Sequence, residues 1–350
     1  NFVLFVVYGV VTLGTLVAAL VAPQVRAVAY APLRDLILPP PDPVKVSVLY
    51  STEKAEWIEQ AVRRFEASGA SVRGHPIKIE LSKSGSREMY LAVLEGEATP
   101  DMISPASMLQ ISLLQDLSAS KFGSSVVNPA DERSCRPVLT SPVILVAWAE
   151  RADVLWGSDP NGRMWMRIEE ALTDPQGWEA YGRPEWGYIK FSHTNPLKSN
   201  SGFQTILLMT YNYLGKTRGL TSADILSDED YQAWFVGFEN TISKFGDSTG
   251  TYMDEIISYG PSVYDFVTVY EATAIGQIEN AAGKYGELRI YYPPATSLSD
   301  HPFCVLDADW VAPERAEAGR MFLDFLTDKE MQELAMMEYG FRPVIPGIPL

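Results

Sequence analysis

The chain has 350 residues, 47% of them hydrophobic and 21% charged, a balance that excludes a disordered chain and suits two globular domains of ordinary size. With 28 basic and 44 acidic side chains the formal net charge is -16, a field that repels nucleic acid, so a nucleic-acid partner is excluded. A small anion is not, because backbone N–H groups at helix ends act locally.

Residues 2–22 carry no charge, and about 20 apolar residues suffice for one bilayer crossing. An N-terminal transmembrane helix over 1–22 is therefore expected. The small-residue triplets Ala27-Val28-Ala29 and Ala29-Tyr30-Ala31 mark the alternative of a cleaved leader. A proline-rich spacer over 23–43, with Leu38-Pro39-Pro40-Pro41-Asp42-Pro43, reads as extended and semi-rigid, holding the globular part off the membrane.

Residues 44–50 alternate as a strand, and Ser51-Thr52-Glu53-Lys54 caps a helix through Trp57, Ala61, Val62 and Phe65. A second strand, 77–81, runs into Ser84-Gly85-Ser86 and a helix carrying Met89 and Leu94. The third, 100–103, ends in Ser104-Pro105-Ala106-Ser107 before a helix through Leu109 and Leu114. Each strand thus ends in a hydroxyl-rich turn, and in open α/β sheets ligands bind beyond the carboxyl ends of the strands.

Further on, 138–148 reads as a strand interrupted by Pro142, a residue tolerated at an edge, a bulge or a crossing between domains. A strand is expected over 186–191, helices near 228–245 and 251–259, and a strand over 267–270 with a helix starting at Glu271. Strands over 288–292 and 303–306 and a helical pattern over 313–339 complete the chain.

The segment from His193 to Gly202, with Thr194, Ser199, Asn200 and Ser201, opens an apolar helix. Its first N–H groups lack partners within the helix and its dipole is positive there, so it can hold an anion; ordinary capping uses the same residue types. Catalysis is not expected. Ser201 lies in no Gly-x-Ser-x-Gly elbow, the phosphate and dinucleotide glycine loops are absent, and Asp300-His301 reads as a loop whose His binds locally. His75, His193 and His301 are far apart and no Cys-x-x-Cys occurs, so neither a metal site nor a cofactor is expected. Tyr291-Tyr292 could ligate ferric iron but reads as packing. Cys135 and Cys304 permit one disulfide or two buried thiols.

In order and spacing the motifs resemble bacterial extracellular solute-binding proteins, the capturing component of ATP-driven (ABC) importers, and among them substrate-binding domains joined to von Willebrand factor type A domains. The residues that carry the likeness are Leu49-Tyr50-Ser51-Thr52-Glu53-Lys54 with Trp57, Pro100-Asp101 with Ser104-Pro105-Ala106-Ser107, and Ser141-Pro142-Val143-Ile144. It continues in Glu185-Trp186-Gly187, His193-Thr194-Asn195-Pro196 with Ser199-Asn200-Ser201-Gly202, Val269-Tyr270-Glu271, Asp300-His301-Pro302-Phe303-Cys304 and Tyr339-Gly340-Phe341-Arg342-Pro343.

The resemblance implies a two-lobed α/β fold of the periplasmic-binding-protein kind (type II-like) behind the membrane helix, with a cleft that closes by hinge motion. Lobe 1 would comprise 44–140 and 272–350, lobe 2 141–271, with hinges at Ser141-Pro142 and around Val269. By matching position, Ser51, Thr52, Ser84, Gly85, Ser86 and Ser104 face the cleft from one lobe. Thr194, Ser199, Asn200, Ser201 and Gly202 face it from the other, with Tyr270 and Glu271 nearby. The expected protein is a single-pass, membrane-anchored, extracytoplasmic receptor for a small solute, an oxyanion, partnered by an ABC permease. The competing expectation is the same fold kept as an accessory or scaffold subunit of a larger membrane complex. An apolar helix stands where such lipoproteins carry a cysteine, and the sequence stops at Leu350 where relatives of this type continue.

Overall fold

The structure, a computed structural model, describes residues 2–21, 41–157 and 164–349. The two cleavage-like triplets and the spacer up to residue 40 lie outside the described residues. Helix α1 spans Phe2–Val21, and the side chains described along it, 3–18, are apolar or small and mostly exposed. Taken over those side chains alone the stretch is too short to cross a bilayer, and among the described residues no helix is long and apolar enough to do so.

The globular part then runs β1 (Val44–Ser51), α2 (Ala55–Ala67), β2 (Ser71–Val72), β3 (His75–Ser84), α3 (Ser86–Glu95), β4 (Met102–Ser104), α4 (Met108–Phe122), β5 (Cys135–Pro137) and β6 (Leu139–Trp148). It continues with α5 (Ala149–Trp156), α6 (Met164–Thr173), β7 (Phe191–Ser192), α7 (Asn200–Tyr213), α8 (Ser222–Leu226), α9 (Glu229–Glu239), α10 (Thr249–Tyr259), β8 (Phe266–Tyr270) and α11 (Glu271–Gln277). The last elements are β9 (Leu288–Tyr291), β10 (Leu298–Ser299), β11 (Pro302–Val305), α12 (Pro313–Leu326), α13 (Lys329–Tyr339) and β12 (Arg342–Pro343).

Two sheets organise these elements. In the first the order is β2-β3-β1-β4-β11-β5, with β1 parallel to β3 and β4 and with β11 antiparallel to β4 and β5. In the second the order is β10-β6-β8-β7, with β9 and β12 also pairing with β6. Both sheets are covered on both faces, and β4 and β8 at their centres are buried throughout. Val46, Val48 and Tyr50 of β1 pack under α2, α12 and α13, while Ile103 and Leu114 belong to the core beneath α3 and α4. Strand β6 alternates similarly: Val143, Leu145 and Ala147 point to one core, Ile144, Val146 and Trp148 to the other. Each fully buried large side chain among these contributes roughly 1.5–3 kcal/mol.

Only Val138 separates β5 in the first sheet from β6 in the second, and only Asp300 and His301 separate β10 from β11 on the return. The segment 272–299, placed with lobe 1 on sequence, instead supplies β9 and β10 to the second sheet, because both pair antiparallel with β6. The strand expected over 186–191 is reduced to β7, since Gly187 at φ 71° turns the chain out of extended geometry. The pattern over 313–339 is two helices, interrupted where Asp328 adopts extended φ/ψ as the cap of α13. Cys135 and Cys304 sit opposite each other on β5 and β11 and form a disulfide.

Candidate functional site

Helix α7 begins where Asn195 turns the chain. Its Oδ1 accepts from Leu197 N (2.9 Å) and its carbonyl from Ser199 N (2.8 Å). Ser199 caps the helix in extended geometry, but no side chain bonds the first helical N–H groups. Gly202 is required there, because a Cβ would overlap the carbonyl oxygen of Thr194. The close approach brings Thr194 Oγ1 to 2.7 Å from Ser201 Oγ.

A second helix start meets the first. Thr249, which opens α10, places Oγ1 2.7 Å from Ser201 Oγ and 3.0 Å from Ser199 Oγ; the hydroxyl of the cap residue Ser248 meets Thr251 Oγ1 (2.9 Å) and bonds no helical N–H. Four hydroxyls thus gather at two positive helix ends, with Thr194, Ser199, Ser201 and Thr249 all buried. The next residue, Gly250, donates its N–H to Thr52 Oγ1 (3.3 Å) beyond the end of β1, and a Cβ on it would lie 2.7 Å from Thr52 O.

Two further contacts join the sheets. The carbonyl of Lys198 accepts from Arg87 N (3.3 Å) at the start of α3 and would lie 2.8 Å from a Cβ on Gly85, so glycine keeps that approach open. Asn200 donates to Tyr270 Oη (2.9 Å) and, more weakly, to Ser299 Oγ (3.4 Å), while its Oδ1 accepts from Gln110 Nε2 of α4 (2.8 Å). Burial pushes the Tyr270 hydroxyl far above its ordinary value, so it stays protonated.

The remaining turn residues do different work. Ser51 and Ser104 are ligands of a buried lysine: Lys54 Nζ lies 2.7 Å from Ser51 Oγ, 2.9 Å from Ser104 O, 3.1 Å from Ser104 Oγ and 3.1 Å from Pro105 O. Its charge partner is Glu53, 3.6 Å away and equally buried. Burial raises the Glu53 carboxyl, but Lys54, His301 and the Ser51 hydroxyl outweigh that and hold it at about 2. Burial in turn brings Lys54 down to about 8 against the attraction of Glu53. His301 Nδ1 lies 3.1 Å from Glu53 Oε1, yet neither ring nitrogen has a well-aligned hydrogen bond, and burial keeps the ring neutral at pH 7 by lowering its pKa. Its backbone takes the left-handed φ of 34° in the crossing to β11.

Ser86 Oγ accepts from Ala106 N (3.0 Å), tying two turns of the first sheet together, and Ser84 Oγ donates to Gly85 O (3.3 Å). Glu271 does not serve the cleft. It makes a two-pronged ion pair with Arg342 (2.7 and 2.8 Å) and accepts from the Tyr292 hydroxyl, so Tyr292 is also committed. Among the described residues no group of His, Cys, Asp or Glu could hold a metal ion.

Sequence reasoning missed Gln110, Lys54, Ser299 and Thr249. Thr249 alone had a local signal, since Ser248-Thr249-Gly250 repeats the chemistry of Ser199 to Gly202 ahead of a helical pattern.

Two α/β lobes joined by short crossings, with helix starts facing each other between them, define the two-lobed binding-protein class. Solved structures share the fold. The substrate-binding protein of an ABC transporter from Agrobacterium tumefaciens is 14% identical over 88% of this chain and 82% of its own, with TM-score 0.58. The sulfate-binding protein SubI from Mycobacterium tuberculosis is 18% identical over 87% and 88% (0.57), and iron-bound HitA from Pseudomonas aeruginosa 12% identical over 87% and 88% (0.57). At such identities the likeness is one of fold. No curated protein sequence matches the chain. Residues 46–342 match the sequence profile of the bacterial extracellular solute-binding proteins, and the chain belongs to that family. Membership assigns it solute binding rather than catalysis and puts the globular part outside the cytoplasm.

Proposed function

We propose that the chain is a membrane-tethered receptor that closes two lobes on a small oxyanion and presents it to an ABC permease. The observation that carries this reading is the gathering of Thr194, Ser199, Ser201 and Thr249 at two helix N-termini whose cap residues, Ser199 and Ser248, bond no helical N–H through their side chains. Neutral donors backed by helix dipoles hold a desolvated anion without titrating, which suits reversible capture. Thr52, Ser84, Gly85 and Ser86 form the opposing rim, and Asn200 with Tyr270 closes one side. In this reading lobe 2 is 141–271 extended by β9 and β10. The tether is residues 2–22, uncharged and helical over Phe2–Val21, a length of about 30 Å at 1.5 Å per residue.

Calorimetric titration of the full chain in mild detergent against sulfate, molybdate, phosphate and small organic acids tests the ligand class. One oxyanion is expected to bind, and the double variant S201A/T249V to weaken it by at least about tenfold. Flat traces with all of them end the oxyanion reading. Extraction of the protein from membranes by alkaline carbonate would end the tether.

A second reading, an accessory subunit of a larger membrane assembly, draws on the direct bonds between the lobes, Gln110 to Asn200, Gly250 to Thr52 and Arg87 to Lys198. Purification in mild detergent separates the two, because a protein that runs alone as a monomer is no scaffold.

A further inference from the structure

Next to the Thr52–Gly250 contact lies a cavity of about 400 Å³, walled by Thr52, Glu53 and the start of α2, by the start of α10, by α11 and by the end of α13. Its size falls within the range of small-ligand sites. Three features give it a chemical character unlike that of the hydroxyl cluster.

The ring of Tyr339 lines it, while Trp57 and Phe341, 0% and 2% exposed, lie buried behind the wall. Carboxylates surround it: Glu56, Asp254 and Glu338 make no ion pair among the described residues, while the cation on the wall, Lys83, is already paired with Glu59 at 3.2 Å. Buried acceptors are left over as well. Thr273 is 7% exposed, and its Oγ1 has no hydrogen-bond partner; one turn on, Gln277 Oε1 is likewise buried and unpartnered. Unpaired buried oxygens cost about 1–3 kcal/mol each, a cost that a donor-bearing ligand removes.

A metal ion does not fit this pattern, because no three acidic or imidazole groups among the described residues converge on one point. A larger cation does. Dispersed carboxylates and the Tyr339 ring face attract an ammonium centre through charge and cation–π contact, and N–H or O–H groups on it satisfy Thr273 and Gln277. The net charge of -16 raises the local concentration of such cations.

We propose that this cavity is a second binding site, for a small organic ammonium ion held by Glu56, Asp254 and Glu338 beside the Tyr339 ring. It goes beyond the oxyanion reading and stands on different residues. Because its walls come from both lobes, occupancy favours the closed arrangement, and through Thr52 and Gly250 it is coupled to the anion cleft. Such coupling is reciprocal: each ligand tightens the other by the same factor.

The test is calorimetry of the full chain in mild detergent with choline and with 3,3-dimethyl-1-butanol, its uncharged isostere. Choline is expected to bind at least about tenfold more tightly than the alcohol, and E56Q/D254N to remove most of that margin. Both side chains are exposed, so the variant folds; T273V, a buried isostere, supplies a second check and is expected to weaken choline severalfold. Equal binding of choline and the alcohol, no binding of either, or competition of magnesium with choline at the same residues overturns the proposal. S201A/T249V leaves choline binding intact, so a failure of the anion cleft and a failure of this site are read separately.

Discussion

Replacing Lys54 by methionine tests the buried charge network behind the first-lobe rim. The ammonium is fully buried and lies within 3.1 Å of four oxygens, those of Ser51, Ser104 (two) and Pro105, with Glu53 at 3.6 Å. Methionine matches its length but strands the Glu53 carboxylate, 3% exposed, without a cation. Removing one partner of a buried pair costs about 3–5 kcal/mol. At roughly 2–4 °C per kcal/mol for lobes of this size, the melting temperature should fall by around 10 °C. The double variant K54M/E53Q should recover a substantial part, since no uncompensated charge is left. Differential scanning calorimetry of wild type, both single variants and the double at pH 7 gives the cycle. A K54M protein as stable as wild type, or a double variant as damaged as the sum of its singles, refutes the reasoning.

The Glu53 carboxyl, held at about 2 against an unfolded value of 4.5, contributes stability above pH 4.5 that is lost as pH falls toward 2. Melting temperature should therefore drop more steeply over that window in wild type than in E53Q, and parallel curves would contradict the assignment. Gly202→Ala drives a methyl into the Thr194 carbonyl, which belongs to backbone and cannot swing away; a loss of at least about 1–3 kcal/mol in denaturant unfolding is expected, together with loss of anion binding. The Cys135–Cys304 bond closes a loop with a sequence separation of 169, so C135S/C304S should lose about 2–4 kcal/mol, read from the shift of the unfolding midpoint with and without reductant.

Much of the first lobe could be read from sequence because its units are local. In β1 the alternation of Val46, Val48 and Tyr50 with polar neighbours, followed at once by a helix of strong amphipathicity, is a βα unit within two dozen residues. The same holds for β3 with α3. Pairing between distant segments carries no such signal: β9 and β10 joined the second sheet through contacts with β6 some 150 residues away. Site residues divide likewise. Ser199, Ser201 and Thr194 sit together as their motif suggested, because a helix start and the strand end before it are neighbours in the chain. Ser51 and Ser104 looked like ligand contacts, but a lysine three residues after Ser51 folds back on both, and only burial turns that spacing into an ion-binding turn. Glu271 was drawn away from the cleft by Arg342, 71 positions later.

The crossings between the sheets set what kind of motion the protein can make. One crossing is the single residue Val138, a second the pair Asp300 and His301, and a third the pair Gly340 and Phe341 between α13 and β12. A chain reaches at most about 3.3–3.6 Å per residue, so none of these links can lengthen to let the lobes slide apart. The second link is also gripped, since Asp300 Oδ1 accepts from Met108 N at the start of α4 (2.7 Å) and His301 lies against Glu53. Only rotation remains, about the region where these links gather, and its first-lobe bearing is the same turn that carries Ser51 and Thr52. A small change at that turn is therefore applied close to the pivot, where a fraction of an ångström becomes a large arc at the far edge of the opposite lobe.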